Sequence, residues 1–156
     1  MTATGPPPTR RIESAAEMAA PAPPTTTMTD PTTAILLLAS GRGTRFGSEI
    51  PKVYLPCAGR ALLLRSLDRL AASVPADRRQ IILAVHPADR ALHVEPLAAE
   101  LRAGGVHAIV DGGATRQQSM QRALAAITGQ PDLVLIHDAA RPFPPIPAIQ
   151  AAIDAA

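Results

Sequence analysis

The chain has 156 residues, of which 47% are hydrophobic and 18% charged, and its formal net charge at pH 7 is +2. This length supports one domain, and because the arginines are scattered along the chain, a nucleic-acid partner is not indicated. Aromatic residues make up only 2%, which argues against base-stacking platforms, and the single cysteine excludes an internal disulfide and a cysteine-rich zinc site.

Residues 1–32 differ in composition from the rest of the chain. They are rich in proline, threonine and alanine, cannot bury a core and are expected to form a disordered tail. A transit peptide is the alternative interpretation, which Glu13, Glu17 and Asp30 disfavour. No apolar run approaches the roughly 20 residues of a membrane span, and a continuous apolar signal segment is lacking, so we expect a cytoplasmic protein without a membrane partner.

From residue 33 onwards, stretches typical of strands alternate with stretches typical of helices. Strands are predicted over residues 33–38, 80–85, 107–110 and 133–137, and helices over residues 61–72, 88–102, 115–127 and from residue 146. Pro96 is expected to weaken the second helix. The alternation predicts an α/β sandwich around a mainly parallel sheet, formed by residues 33–156, in which ligands bind at the carboxyl ends of the strands.

The loop after the first strand contains Gly41, Gly43 and Gly47, with two cations at fixed offsets, Arg45 and Lys52. Small residues let backbone N–H groups approach an anion closely, and the cations can neutralise a polyphosphate. Lys52 is the only lysine beside fourteen arginines, from which we infer that a compact ammonium is needed there, with chance as the alternative explanation. The spacing matches neither Gly-x-Gly-x-x-Gly nor a Walker A motif, and a plain glycine turn is the alternative.

A second polar segment, residues 111–119, follows the third predicted strand. Gly112 and Gly113 permit a close approach of the backbone to a ring or a ribose, and Ser119 would offer its hydroxyl one turn into the next helix. The alternative is a strand-to-helix turn with Thr115 as its N-cap.

The third segment, residues 137–143, follows the fourth predicted strand. Asp138 comes directly after a buried strand, where an unpaired carboxylate is costly, so it needs a metal, a hydroxyl or a cation. An internal ion pair with Arg141 is the alternative to a ligand contact. His137 is interpreted as a hydrogen-bonded histidine at the end of the sheet. The other histidines lack the spacing of metal ligands and are expected to be structural: His86, His93 and His107.

Together, these segments resemble the motifs of the 2-C-methyl-D-erythritol 4-phosphate cytidylyltransferase family, nucleotidyltransferases of non-mevalonate isoprenoid synthesis. The family pattern is Ala-Ala-Gly-x-Gly-x-Arg, then Pro-Lys, then Asp-Gly-Gly with a later Arg and Ser, then His-Asp-Ala-Ala-Arg-Pro. Its counterparts here are residues 39–45, 51–52, 111–119 and 137–142. Where the family usually has alanine, glutamine and an acidic residue, this sequence has Ser40, Val53 and Ala114.

The resemblance implies a Rossmann-like nucleotidyltransferase sandwich that covers residue 33 to the end of the chain. Members of the family continue beyond this point with a dimer arm and with the cations that position the sugar phosphate. The chain is therefore interpreted as the nucleotide-binding part of a C-terminally truncated, incomplete domain. The homodimer of the full-length family is an expectation for that longer chain.

The resemblance also implies a reaction, in which the 4-phosphate of methylerythritol phosphate, a sugar-alcohol phosphate, attacks the α-phosphorus of CTP and pyrophosphate leaves. Arg45 and Lys52 would be the catalytic residues that hold the phosphates. Mg²⁺ or another divalent cation would bridge phosphate oxygens, with Asp138 as an indirect ligand. The residues expected to bind CTP are Ala39, Ser40, Gly41, Gly43, Gly113, Ser119, Asp138, Ala139 and Arg141.

Three alternatives stay open at this point. The chain could belong to a nucleotidyltransferase for another substrate, of the ribitol-phosphate or the molybdopterin type. It could bind CTP without turning it over. It could also be a regulatory or interaction fragment that has no affinity for CTP.

Overall fold

The computed structural model describes residues 32–41 and 50–156. The strands are β1 (Thr33–Ala39), β2 (Pro56–Cys57), β3 (Arg60–Ala61), β4 (Arg79–Val85), β5 (Val106–Asp111) and β6 (Leu133–Asp138), and the helices are α1 (Leu62–Ser73), α2 (Ala98–Ala103), α3 (Arg116–Ala125) and α4 (Ile146–Asp154). The predicted alternation of strands and helices is confirmed. The predictions for the tail before Thr32, for Gly43 and for Arg45 lie outside the described residues.

Strand β1 lies inside a four-stranded parallel sheet with the order β5-β4-β1-β6. It pairs in continuous register with β4 on one side, where Leu36 faces Ile82, and with β6 on the other, where Leu36 faces Ile136. All seven of its residues are buried, as expected for an apolar run in a parallel sheet covered on both faces. The carboxyl ends of the four strands therefore meet at one edge.

Helices cover both faces of this sheet. On one face, Leu67 of α1, Leu101 of α2 and Ile149 of α4 are buried in a single cluster with side chains of β1 and β4. On the other face, Ala123 of α3 packs in a second cluster that contains Leu36. Within the described ranges, none of the helices is long and apolar enough to cross a membrane.

The outer strand β6 keeps part of its apolar surface exposed. Helix α3 packs mainly against β1, β4 and β5, whereas Val134 is 44% exposed and Ile136 is 38% exposed on the same face. A parallel sheet needs cover on both faces, so this face of β6 is only partly covered within the described residues.

The segment between β4 and α2 differs from the prediction of one helix over residues 88–102. It forms three short helical turns, Pro87–Asp89, Arg90–Val94 and Glu95–Leu97, before the regular helix α2 begins. Pro96 accounts for the interruption because it has no N–H to donate and its ring crowds the carbonyl four residues earlier. These turns place a fourth loop at the carboxyl edge of the sheet, which the sequence did not lead us to expect.

An antiparallel hairpin of β2 and β3 lies directly before α1 and was not predicted. Each strand has only two residues, too few for an alternating pattern to show in the sequence. Ala58 and Gly59 have φ angles of 50° and 76°, as a two-residue hairpin turn requires. Arg65 of α1 holds this turn, since its Nη2 donates to the carbonyl of Ala58 at 2.8 Å.

The amino ends of β1 and β6 are joined by hydrogen bonds between Thr32 and Asp132. The Thr32 hydroxyl and backbone N–H donate to Oδ2 of Asp132 at 2.7 and 2.8 Å, and the Asp132 N–H donates to Oγ1 of Thr32 at 3.2 Å. These donors, the hydroxyl first and the backbone N–H second, lower the pKa of Asp132 from its ordinary value.

We predict that Asp132→Asn destabilises the fold at neutral pH and not in strong acid. Because the folded-state pKa is lowered, ionised Asp132 stabilises the fold above the unfolded pKa of about 4, and this contribution is lost as the pH falls through the folded-state pKa. Urea midpoints of wild type and variant should converge on acidification. A difference that does not change with pH would show that the ionised carboxylate contributes nothing.

Candidate active site

A cleft of about 420 Å³ opens at the carboxyl edge of the sheet. The loops after β1, β5 and β6 and the turn at Lys52 form its walls. The lining residues are Leu38, Ala39, Ser40, Gly41, Lys52, Val53, Gly113, Ala114, Thr115, Arg116, Asp138, Ala140 and Arg141. The three segments singled out in the sequence therefore meet in one place, through their described residues.

Lys52 reaches this cleft from a short 3-10 turn, Lys52–Tyr54. The turn is closed by the N–H of Tyr54, which donates to the carbonyl of Pro51 at 2.9 Å. Val53 and Tyr54 are buried, whereas Lys52 is half-buried and lines the cleft. The turn fixes the backbone of Lys52, and its flexible side chain carries a cation that can neutralise an anion in the cleft.

The loops after β1 and β5 are linked by a chain of hydroxyl groups. Ser40 Oγ donates to Ser119 Oγ at 2.7 Å, and Ser119 Oγ accepts a second bond from the N–H of Gly113 at 3.0 Å while donating to the carbonyl of Thr115 at 2.9 Å. Ser119 is only 1% exposed. This hydroxyl is bonded within the protein and supports the loop from behind, and its predicted contact with a nucleotide stays a prediction.

The amino end of α3 is capped by Thr115, as the turn interpretation of this segment predicted. Thr115 Oγ1 accepts the N–H of Gln118 at 3.1 Å, and Gln118 Oε1 accepts the N–H of Ala114 at 2.9 Å. This exchange resembles a capping box. It fixes the backbone at Arg116, the first residue of the helix, and so sets the direction in which the Arg116 side chain starts at the edge of the cleft.

Asp138 lies at the end of β6 and pairs with two arginines. Arg116 Nε lies 3.1 Å from its Oδ1, and Arg141 Nε lies 3.7 Å from its Oδ2. The Asp138 side chain is 36% exposed, so it is less buried than its position after an apolar strand suggested. The pair with Arg141, which the sequence offered as the alternative to a ligand contact, is present, and the sequence did not indicate Arg116 as a second partner of Asp138. Among the described residues that line the cleft, three cations (Lys52, Arg116 and Arg141) accompany one carboxylate, Asp138.

Ala139 does not line the cleft, and its predicted contact with CTP stays a prediction. It is fully buried, with its N–H donating to the carbonyl of Leu38 at 2.9 Å and its carbonyl accepting from Ser66 Oγ at 2.8 Å. These bonds continue the sheet by one residue and turn the side chain of Ala139 into the core. The next residue, Ala140, lines the cleft in its place.

His137 has the structural role that the sequence suggested. Its Nε2 lies 2.9 Å from the carbonyl oxygen of Arg141, across the turn that carries Asp138. The same carbonyl accepts from Ser66 Oγ at 3.3 Å. The loop after β6 is therefore held by side chains of α1 and of β6 itself.

A metal site made of protein groups alone is not supported in the described part of the chain. No group of three or more His, Cys, Asp and Glu side chains that could hold a metal ion occurs in residues 32–41 and 50–156. Asp138 is the carboxylate that lines the cleft there. Mg²⁺ is commonly bound by one or two carboxylates together with substrate phosphates, so the cleft fits a metal ion that a nucleotide brings with it.

The parallel α/β sheet, with a cation-rimmed cleft at its carboxyl edge, defines a Rossmann-like nucleotidyltransferase domain. Residues 33–156 match the family model of 2-C-methyl-D-erythritol 4-phosphate cytidylyltransferase. The chain belongs to this family, which confirms the resemblance seen in its motifs.

Similar proteins carry corresponding names. The 2-C-methyl-D-erythritol 4-phosphate cytidylyltransferase of Cereibacter sphaeroides is 43% identical over 114 residues, which are 72% of this chain and 48% of the relative. A bifunctional enzyme IspD/IspF of Granulibacter bethesdensis is 41% identical over 123 residues, 78% of this chain and 30% of that enzyme. The structure of 4-diphosphocytidyl-2C-methyl-D-erythritol synthase from Anaerococcus prevotii superposes with a TM-score of 0.63 at 26% identity, covering 81% of this chain and 51% of that one. The matched part of the chain thus spans about half the length of the first and third of these relatives and less than a third of the bifunctional enzyme.

We predict that Gly112→Ala destabilises the fold by about 1–3 kcal/mol, the usual cost of overpacking. The added Cβ would lie 2.3 Å from the Cβ of Ser40 and 3.0 Å from Oγ of Ser119, so the linked loops would have to separate. Urea unfolding measures the loss. Ser40→Gly removes the carbon that the new methyl group would meet, so the double variant should lose less than the two single variants combined. Strictly additive losses would contradict this contact.

Proposed function

We propose that this chain forms the CTP-binding part of an enzyme that transfers a cytidylyl group from CTP to 2-C-methyl-D-erythritol 4-phosphate and releases pyrophosphate. The observation that carries the proposal is the meeting of three family segments in one cleft whose rim holds Lys52, Arg116 and Arg141. The chain spans about half the length of its relatives. We therefore propose that it binds the nucleotide, and that the sugar phosphate is bound by the segment that corresponds to the unmatched part of the relatives.

The reaction joins two polyanions, so the main obstacle is charge. An oxygen of the sugar 4-phosphate attacks the α-phosphorus of CTP, the bond from this phosphorus to the β-bridging oxygen breaks, and the electron pair leaves with pyrophosphate. No protein nucleophile is required, and catalysis depends on positioning and on cations that stabilise the developing charge. Among the described residues, Lys52 is the cation proposed to stabilise this developing charge. Arg45, outside the described residues, is proposed to act with it.

The loop after β5 is proposed to receive the cytosine, because its backbone is already fixed. The N–H of Gly112 donates to the carbonyl of Val85 at 2.7 Å, and the carbonyl of Gly112 accepts from Arg122 Nη1 at 2.8 Å. A loop whose own polar groups are satisfied needs little reordering when a ligand binds. In this arrangement Gly113 faces the nucleotide and Ser119 holds Gly113 in place.

The rim arginines are suited to the phosphates. Guanidinium groups bind phosphate oxygens through two parallel hydrogen bonds, and the side chains of Arg116 and Arg141 are 60% and 79% exposed, which leaves them able to turn towards a ligand. A Mg²⁺ ion bound to the triphosphate would neutralise part of its charge. Asp138 is the described residue proposed to meet this ion, indirectly through water.

Two measurements test the proposed function. Calorimetric titration of the 156-residue chain with CTP and with the other nucleoside triphosphates should show binding that prefers CTP. Pyrophosphate release with the sugar phosphate should be almost absent for the chain alone and should appear when the unmatched segment of the Cereibacter sphaeroides relative is fused to it. A chain that fails to bind CTP, or that prefers another nucleotide, would overturn the proposal. CTP binding without turnover in the fusion would favour a nucleotide-binding module.

We predict that Lys52→Ala lowers the rate of pyrophosphate release in the fusion by about 10²–10³, the usual cost of removing one charge-stabilising group. The melting temperature should stay unchanged because Lys52 is only half-buried. Arg45→Ala should have a similar effect, and Arg45→Lys should recover only part of the rate because the guanidinium fork is lost. Arg102→Ala is the control, since this exposed arginine of α2 does not line the cleft. Equal rates for Lys52→Ala and wild type would count against the assignment.

A further inference from the structure

The turn that carries Lys52 is held from its buried side. The backbone bonds at both ends of the turn fix its shape, with Tyr54 N–H donating to the carbonyl of Pro51 at 2.9 Å and Leu55 N–H donating to the carbonyl of Lys52 at 3.1 Å. The N–H of Leu62 then donates to the carbonyl of Leu55 at 3.0 Å, which ties the end of the turn to α1. A displacement of Tyr54 should therefore also displace the backbone of Lys52, which lies two residues earlier in the same ordered turn.

The ring of Tyr54 stacks on His93. The two ring centroids lie 4.7 Å apart and the ring planes make an angle of 18°. His93 belongs to the turns between β4 and α2, the fourth loop at the carboxyl edge of the sheet. A stack of this geometry is favourable beyond the area that it buries. It joins the Lys52 turn to a loop that contributes no lining residue to the cleft.

The Tyr54 ring is held by stacking and by the packing around it. Among the described residues, its hydroxyl makes no hydrogen bond that could hold the ring. The Tyr54 hydroxyl is buried and has no hydrogen-bond partner among the described residues. Burial first, and the negative charge of Asp89 second, raise the pKa of Tyr54, so the phenol stays neutral under physiological conditions. The ring is also packed in the core cluster of the protein. Removing the hydroxyl should therefore leave the ring in place, whereas removing His93 takes away the stacking contact that sets the angle of the ring.

We propose that His93 is a positioning residue, whose ring holds Tyr54 and thereby sets where the Lys52 ammonium stands in the cleft. This proposal rests on the proposed function, in which the ligand of Lys52 is the triphosphate of CTP. It also makes the loop after β4 part of the machinery of the site although that loop does not line the cleft. His93 is half-buried and acts only through Tyr54.

The single lysine of the chain permits a direct test. In protein labelled with ¹³C-lysine, the side-chain NMR signals of Lys52 are observed without overlap from other lysines, first alone and then with CTP. In His93→Ala, the Lys52 signals of the unliganded chain should move towards those of a disordered lysine, and CTP should bind roughly threefold to tenfold more weakly. His93→Phe, which keeps a ring to stack, and Tyr54→Phe, which keeps the ring of Tyr54, should both resemble wild type.

Leu92→Ala is the matched control on the same turn, because Leu92 is 75% exposed. It should leave both the Lys52 signals and CTP binding unchanged, whereas a purely structural effect of the turn would make it behave like His93→Ala. Unchanged Lys52 signals in His93→Ala would overturn the positioning role whether or not CTP binds. If the wild-type chain fails to bind CTP, the proposed function fails, and the unliganded signals still decide the role of His93.

Discussion

The parallel pairing of β1 with a neighbour on each side is the constraint on which the other parts of the structure depend. Because all seven residues of β1 are buried, helices must cover both faces of the sheet. The connections between strands therefore cross these faces, and each strand enters the sheet in the same direction. Every loop that follows a strand is thereby brought to the same edge. The cleft results from this arrangement.

What distinguishes the cleft is that its walls are tied to one another before any ligand arrives. Ser40 joins the first loop to Ser119 behind the second, and Ser66 of α1 holds the third through two carbonyl groups. These bonds lie below the surface of the cleft and leave the cations at its rim exposed. The polar network therefore stabilises the geometry, while the arginines stay at the exposed rim.

The sequence was sufficient to predict the four parallel strands, because each contains at least three consecutive apolar residues, and to predict that the loops after β1, β5 and β6 meet. It could not show which way single side chains point beyond a strand end. Ala139 and Ala140 are identical residues, and only the extra sheet bond of Ala139 decides which one faces the cleft. The stacking of Tyr54 on His93 was equally hidden, since these residues are far apart in the chain and no spacing pattern connects them.

The carboxylate of Asp138 competes with an anionic ligand for the arginines of the cleft. Its carboxylate occupies the same guanidinium groups, Arg116 and Arg141, that an entering phosphate would use. Anion binding at this rim is therefore an exchange of partners, in which the number of ion pairs changes little. Since dissolved salt screens the pairs on both sides of this exchange, the affinity of the rim for anions should depend less on ionic strength than its number of arginines suggests.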